Sequence, residues 1–135
     1  MSKQVIDTIE ESLRNLTPVA FNKFSVDKFH PRFTIERLDK KEIRPGSMQV
    51  SFPCVKILVT VPGNPEKKCY LLYRTDDDGE GIIKQYYNGK RGKYGVLDSE
   101  ELSEDSINVF RIASDLAVFI EHVVIPLRIL SIGGM

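Results

Sequence analysis

The chain is poor in the residues that most often announce a chemistry: it has two cysteines, two histidines and no tryptophan. Two thiols are too few for a disulfide scaffold or a four-ligand zinc site. The histidines are His30, next to Pro31, and His122, next to Glu121. Neither stands in an H-x-x-x-H pair, and there is no G-x-S-x-G elbow, so no catalytic residue, metal ligand or cofactor is predicted. Asp76-Asp77-Asp78-Gly79-Glu80 has the look of a calcium loop. With Gly79 as the invariant glycine, however, an EF-hand would need an acid at Arg74 and a glutamate at Gln85, so an acidic turn is expected instead.

Charge of one sign is missing too. Lys+Arg and Asp+Glu are equal at 19 each, which leaves no global field to steer the chain toward nucleic acid or an acidic membrane. Long hydrophobic runs are also lacking, because the stretch from Leu116 to Ile132 is broken by Glu121, His122, Pro126 and Arg128. A charge near a bilayer centre costs about 2.5 to 3.5 kcal/mol, so this stretch reads as core and no membrane partner is expected. Met1-Ser2-Lys3-Gln4 leads into an amphipathic pattern with Asp7, Glu10 and Glu11 rather than an apolar signal segment. A cytoplasmic setting is expected, in the producing cell or, for a viral component, in its host.

What the chain does have is enough apolar residue for one core: 135 residues, 41% of them hydrophobic, with no linker, repeat or low-complexity segment. A single α+β domain spanning 1–135 is expected, with four or five strands in a mostly antiparallel meander packed by an N-terminal helix and a long apolar C-terminal helix. Val5, Ile9, Leu13 and Leu16 line one face of a helix over Lys3 to Leu16, which Thr17-Pro18 should end. From Val19 to Arg32 the phenylalanines follow no clean period. Phe33 to Leu38 alternates as a strand, and Asp39 to Ser47 is expected to be a loop around Pro45-Gly46. Met48 to Val61 carries the clearest strand pattern, with Val55, Ile57, Val59 and Val61 on one face. Cys69 to Arg74 is apolar on both faces and should be central. Strands at Ile82 to Tyr87 and Tyr94 to Leu97 complete the meander, joined through Asn88-Gly89. In a hairpin of the second and third strands Cys54 lies opposite a residue near Thr75, too far from Cys69 for a bridge, so two buried thiols are expected.

The chain is organised around Ser103 to Ile132. Ser103-Glu104-Asp105-Ser106 suits a helix start, and Pro126 should kink or end that helix near His122 to Ile125. Phe110, Ala113, Ala117, Ile120, Val124 and Leu127 form one apolar stripe, and Val109, Ile112, Leu116, Phe119 and Val123 form a second beside it. Asn108, Arg111, Asp115 and His122 make a narrow polar strip. On this reading Leu116→Ala costs about 2 to 5 kcal/mol, while Asp115→Ala costs less than about 1 kcal/mol.

A helix apolar on two sides needs cover on both, from the sheet and from a second helix or another copy of the chain. The leading expectation is therefore a non-enzymatic assembly or adaptor protein that binds proteins, beginning with a copy of itself as a homo-oligomer. Its candidate interface is Val109, Ile112, Leu116, Phe119 and Val123. The alternative is a module for nucleic acid or another anionic ligand. Its candidate residues are Lys84, Tyr86, Tyr87, Lys90, Arg91, Lys93 and Tyr94, which offer cations for phosphates and rings for stacking around a glycine-rich loop.

Overall fold

The computed structural model describes residues 2–23, 32–44, 48–61, 64–75, 81–87 and 96–126. Its elements run helix α1 (Ser2–Lys23), strands β1 (Arg32–Arg44), β2 (Met48–Val61), β3 (Asn64–Thr75), β4 (Ile82–Tyr87) and β5 (Val96–Leu102), and helix α2 (Val109–Phe119). A turn of 3₁₀ helix (Glu104–Ser106) precedes α2, and a π-helical turn (Ile120–Val124) follows it. The strands form one antiparallel sheet in sequence order, so the expected α+β meander holds, with five strands and β3 at its centre. Short connections between successive antiparallel strands allow that order without any crossover.

Both helices lie on one face of the sheet. Val55, Ile57 and Val59 of β2, Leu71 and Tyr73 of β3, and Ile82 and Tyr86 of β4 point toward them and are buried. On α1 the inward residues are Ile6, Ile9, Leu13, Thr17 and Phe21, spaced three or four apart. Among the described residues no helix is long and apolar enough to cross a membrane. Cys54 and Cys69 are both buried thiols; Cys54 stands opposite Arg74 and Cys69 opposite Val59, which separates them along the hairpin.

Several boundaries differ from the sequence reading: β3 begins at Asn64 rather than Cys69, β5 runs on to Leu102 rather than ending at Leu97, and three further differences have a visible cause. Helix α1 does not stop at Thr17-Pro18 but continues to Lys23 with Pro18 inside it. An internal proline costs about 3 kcal/mol; burial of Phe21, edge-on to Phe33 at 4.7 Å, offsets it. Strand β1 continues through the charged stretch to Arg44, because each residue from Asp39 to Arg44 is paired with β2 between Pro53 and Met48. Helix α2 starts at Val109 rather than at Ser103. Its cap is Asn108, whose side-chain oxygen accepts a hydrogen bond from the Arg111 N–H at 2.9 Å, whereas the Ser103 side chain makes no capping bond.

Pro126 does not end the helix at His122 to Ile125 as expected: residues 125 and 126 are still helical. Its ring crowds the carbonyl four residues earlier, and the turn before it widens to the π form, with the Ile125 N–H bonded to the Ile120 carbonyl. The calcium-like turn at Asp76 to Glu80, His30, Phe24, Phe29 and Leu127 lie outside the described residues.

Candidate functional site

The most polar point of the core is where α2 meets β3, β4 and β5. Alternation along β4 turns Ile82, Lys84 and Tyr86 inward together, which brings a lysine under the helix layer at 4% exposure. An ammonium so placed needs an anion. Asp115, in the middle of α2 and equally buried, supplies it: Lys84 Nζ donates to Asp115 Oδ1 at 3.0 Å and Tyr73 Oη donates to Asp115 Oδ2 at 2.8 Å. One turn earlier on α2, Arg111 Nε donates to the same carboxylate at 3.1 Å. Glu100 of β5 closes the cluster, accepting from Lys84 at 3.0 Å and from Arg111 at 2.9 Å. Tyr86 Oη adds a longer contact to the Asp115 backbone carbonyl, and its ring lies parallel to that of Phe119.

The electrostatics follow from these contacts. Burial alone would lower the Lys84 pKa, but the bonds to Asp115 and Glu100 outweigh it, so the ammonium is held above the ordinary lysine value. Hydrogen bonds from Lys84 and then Arg111 lower Glu100. Burial, reinforced by the Asp115 charge, keeps the Tyr73 phenol protonated well beyond its usual range. Lys84 therefore stays cationic and Glu100 anionic through neutral pH, each bonded to a group of opposite charge.

This cluster corrects the reading of α2. Asp115 belongs to the core and not to an exposed polar strip, and turning it inward rotates the whole helix. Ile112, Leu116, Phe119 and Val123, expected as an interface between copies, are buried in the chain's own core, while Val109 from the same row is exposed. The first apolar stripe divides: Ile120 and Val124 are buried, whereas Phe110 is 82% exposed and Ala113 is exposed beside it. With Ser114 and half-exposed Val118, these residues recur at helical spacing along the outward side of α2.

Three of the seven candidates for ligand binding fall among the described residues. Lys84 and Tyr86 point inward and are engaged with α2, and Lys90, Arg91, Lys93 and Tyr94 lie outside the described residues. Tyr87 is on the opposite, helix-free face of the sheet, stacked on Tyr70 at 4.8 Å between ring centres. On that face Glu36 pairs with Lys56 at 3.6 Å, and Lys56 Nζ lies 5.3 Å from the Tyr70 ring centre. A ladder of charge and ring contacts thus crosses β1 to β4. His122 is exposed, and the described residues contain no group of His, Cys, Asp and Glu able to hold a metal.

The sequence carried a signal for the missed cluster. Lysine at position 84 shares its strand face with Ile82 and Tyr86, and Arg111 and Asp115 are four apart in a helix; an acid on an otherwise apolar helix is the natural partner for a lysine on an apolar strand face. Compared with protein-family models, curated proteins and solved structures, the chain finds no match.

Proposed function

We propose that this chain is a non-enzymatic assembly or adaptor protein whose partners are proteins, a second copy of itself among them. The observation that carries the reading is the outward side of α2. Single exposed apolar residues are ordinary on a protein surface, but here Phe110, at 82% exposure, shares one helix face with Ala113, Ser114 and Val118, and Val109 flanks it. Burying a phenylalanine side chain is worth about 1.5 to 3 kcal/mol. A ring held out on a helix that is anchored from below is a ready contact point for a partner. The ionisable groups of the core support the non-enzymatic part, since Lys84, Asp115, Glu100 and Arg111 are bonded to one another.

A photo-activatable crosslinking residue at position 110, introduced in the producing cell, tests the surface. Discrete protein adducts at 110, absent when the same residue replaces exposed Glu11 on α1, are expected. Equal labelling at both positions would count against α2 as the docking face. The anionic-ligand reading retains Tyr87 and its stack on Tyr70 as support. It predicts nucleic-acid binding that weakens steeply with salt and is lost when Lys90, Arg91 and Lys93 are replaced by glutamate.

A further inference from the structure

The outer edge of β1 differs from the surface on α2 in offering backbone rather than side chains. Strand β1 is 13 residues long and is paired with β2 over its whole length, and no described strand pairs with its other side. A free edge of that length presents a row of unused N–H and C=O groups, and proteins normally protect such an edge. We propose that a second copy of this chain pairs with it, β1 antiparallel to β1 about a twofold axis through Leu38, so that the two sheets become continuous.

The sequence of β1 selects that geometry. In an antiparallel strand only alternate residues turn their N–H and C=O toward a given edge, so a symmetric pair of identical strands must have its axis on a residue and not between two. Full overlap of Arg32–Arg44 meets this condition with the axis at Leu38. It sets Glu36 opposite Lys40 of the second copy, Arg37 opposite Asp39, and Phe33 opposite Ile43, each twice by symmetry, with Leu38 against its own counterpart. The one like-charged match is Arg32 with Arg44, at the ends. Moving the axis to the neighbouring residue puts Arg37 against Arg37 or Asp39 against Asp39 at the centre, which like-charge repulsion disfavours. The charges that would repel an arbitrary strand therefore specify one register with a copy of the same strand.

Two observations on the edge agree. Leu38, at the proposed axis, is among the large apolar side chains left exposed in the described residues, at 39%, and self-pairing would cover it. Arg14 reaches the Ile35 carbonyl of β1 at a long 3.4 Å, and in the proposed register Ile35 stands opposite Lys41 of the second copy.

The inference rests on the part of the proposed function in which the chain binds a second copy of itself, while the two surfaces fail separately: crosslinking at position 110 bears on α2, and the following bears on β1. Light scattering on the full chain at micromolar concentration should give the dimer mass. Glu36→Lys, which brings lysine against Lys40, should weaken the dimer by about tenfold or more, and Glu36→Lys with Lys40→Glu should restore it. Independently, Leu38→Cys in a Cys54→Ala background should form a disulfide between copies under mild oxidation, since directly opposed residues lie about 4.5 to 5.5 Å apart. Removing Cys54 is necessary because it stands opposite Leu38 within the chain. Thr34→Cys in the same background should not crosslink. A monomer at all concentrations, a charge-reversed double variant no better than the single one, or equal crosslinking at 34 and 38 would overturn the proposal.

Discussion

Each helix is tied to the sheet by charge, and the two ties lie on one cross-sheet row: Arg37, Val55, Tyr73, Lys84 and Glu100 stand opposite one another from β1 to β5. At the β1 end, Arg37 holds Asp7 and Glu10 of α1 where water has access, with more than half of the Asp7 side chain exposed. At the other end, Lys84 and Asp115 are almost wholly buried. The difference is in what happens when a partner is removed. An exposed pair that loses one member is re-solvated and contributes little. A buried pair that loses one member strands an ion in the core. The β4/β5 end fixes α2, and with it the outward Phe110, whereas the β1 end leaves a helix and an edge strand held by weaker ties.

The largest expected effect comes from breaking the buried side. Asp115→Ala leaves Lys84 buried opposite no carboxylate but the more exposed Glu100, and should cost about 3 to 5 kcal/mol in urea denaturation. Leu116→Ala, beside it in the core, should cost about 2 to 5 kcal/mol through lost transfer energy and a cavity. Tyr73→Phe removes one bond to the carboxylate while Lys84 and Arg111 remain, and should cost about 1.5 to 3 kcal/mol. Arg37→Ala should cost less than about 1 kcal/mol, and less still in high salt.

The dependence on pH sharpens the contrast. Glu100 is lowered in the fold, so its contribution is present above the ordinary carboxylate value and is lost as pH falls through its folded value. Lys84 and Tyr73 are raised, so theirs is complete below the ordinary lysine and tyrosine values and is lost as pH rises through the folded ones. Burial also pushes the Cys69 thiol up to about 12, adding to the alkaline loss. Denaturation midpoints should therefore be flat through neutral pH and fall on both sides. In Tyr73→Phe the alkaline fall should be shallower.

Much of this fold was legible in the sequence because its signals were local. The alternation in Met48 to Val61 and Ile82 to Tyr87 gave those strands at their observed limits, and the hairpin between β2 and β3 correctly separated the two cysteines. The misjudged parts depended on distant partners. Pro18 stays in a helix because Phe21 reaches Phe33, and Asp39 to Arg44 is strand because β2 lies beside it. The rotation of α2 was hidden for the same reason. Its apolar rows nearly encircle the helix, so the pattern alone favoured neither, and the choice fell to a single aspartate whose lysine partner is 31 residues away in the chain. The site followed the fold in this: the excess apolar surface on α2 was legible, but which row faced outward was not.

Urea denaturation of Asp115→Ala and Arg37→Ala, run side by side with the parent chain, tests the account most directly. The account predicts that the aspartate variant loses at least about three times the stability that the arginine variant loses, with unchanged m-values. Losses of equal size, or an Asp115→Ala variant as mild as an ordinary surface substitution, would contradict the claim that buried charge fixes α2 to the sheet.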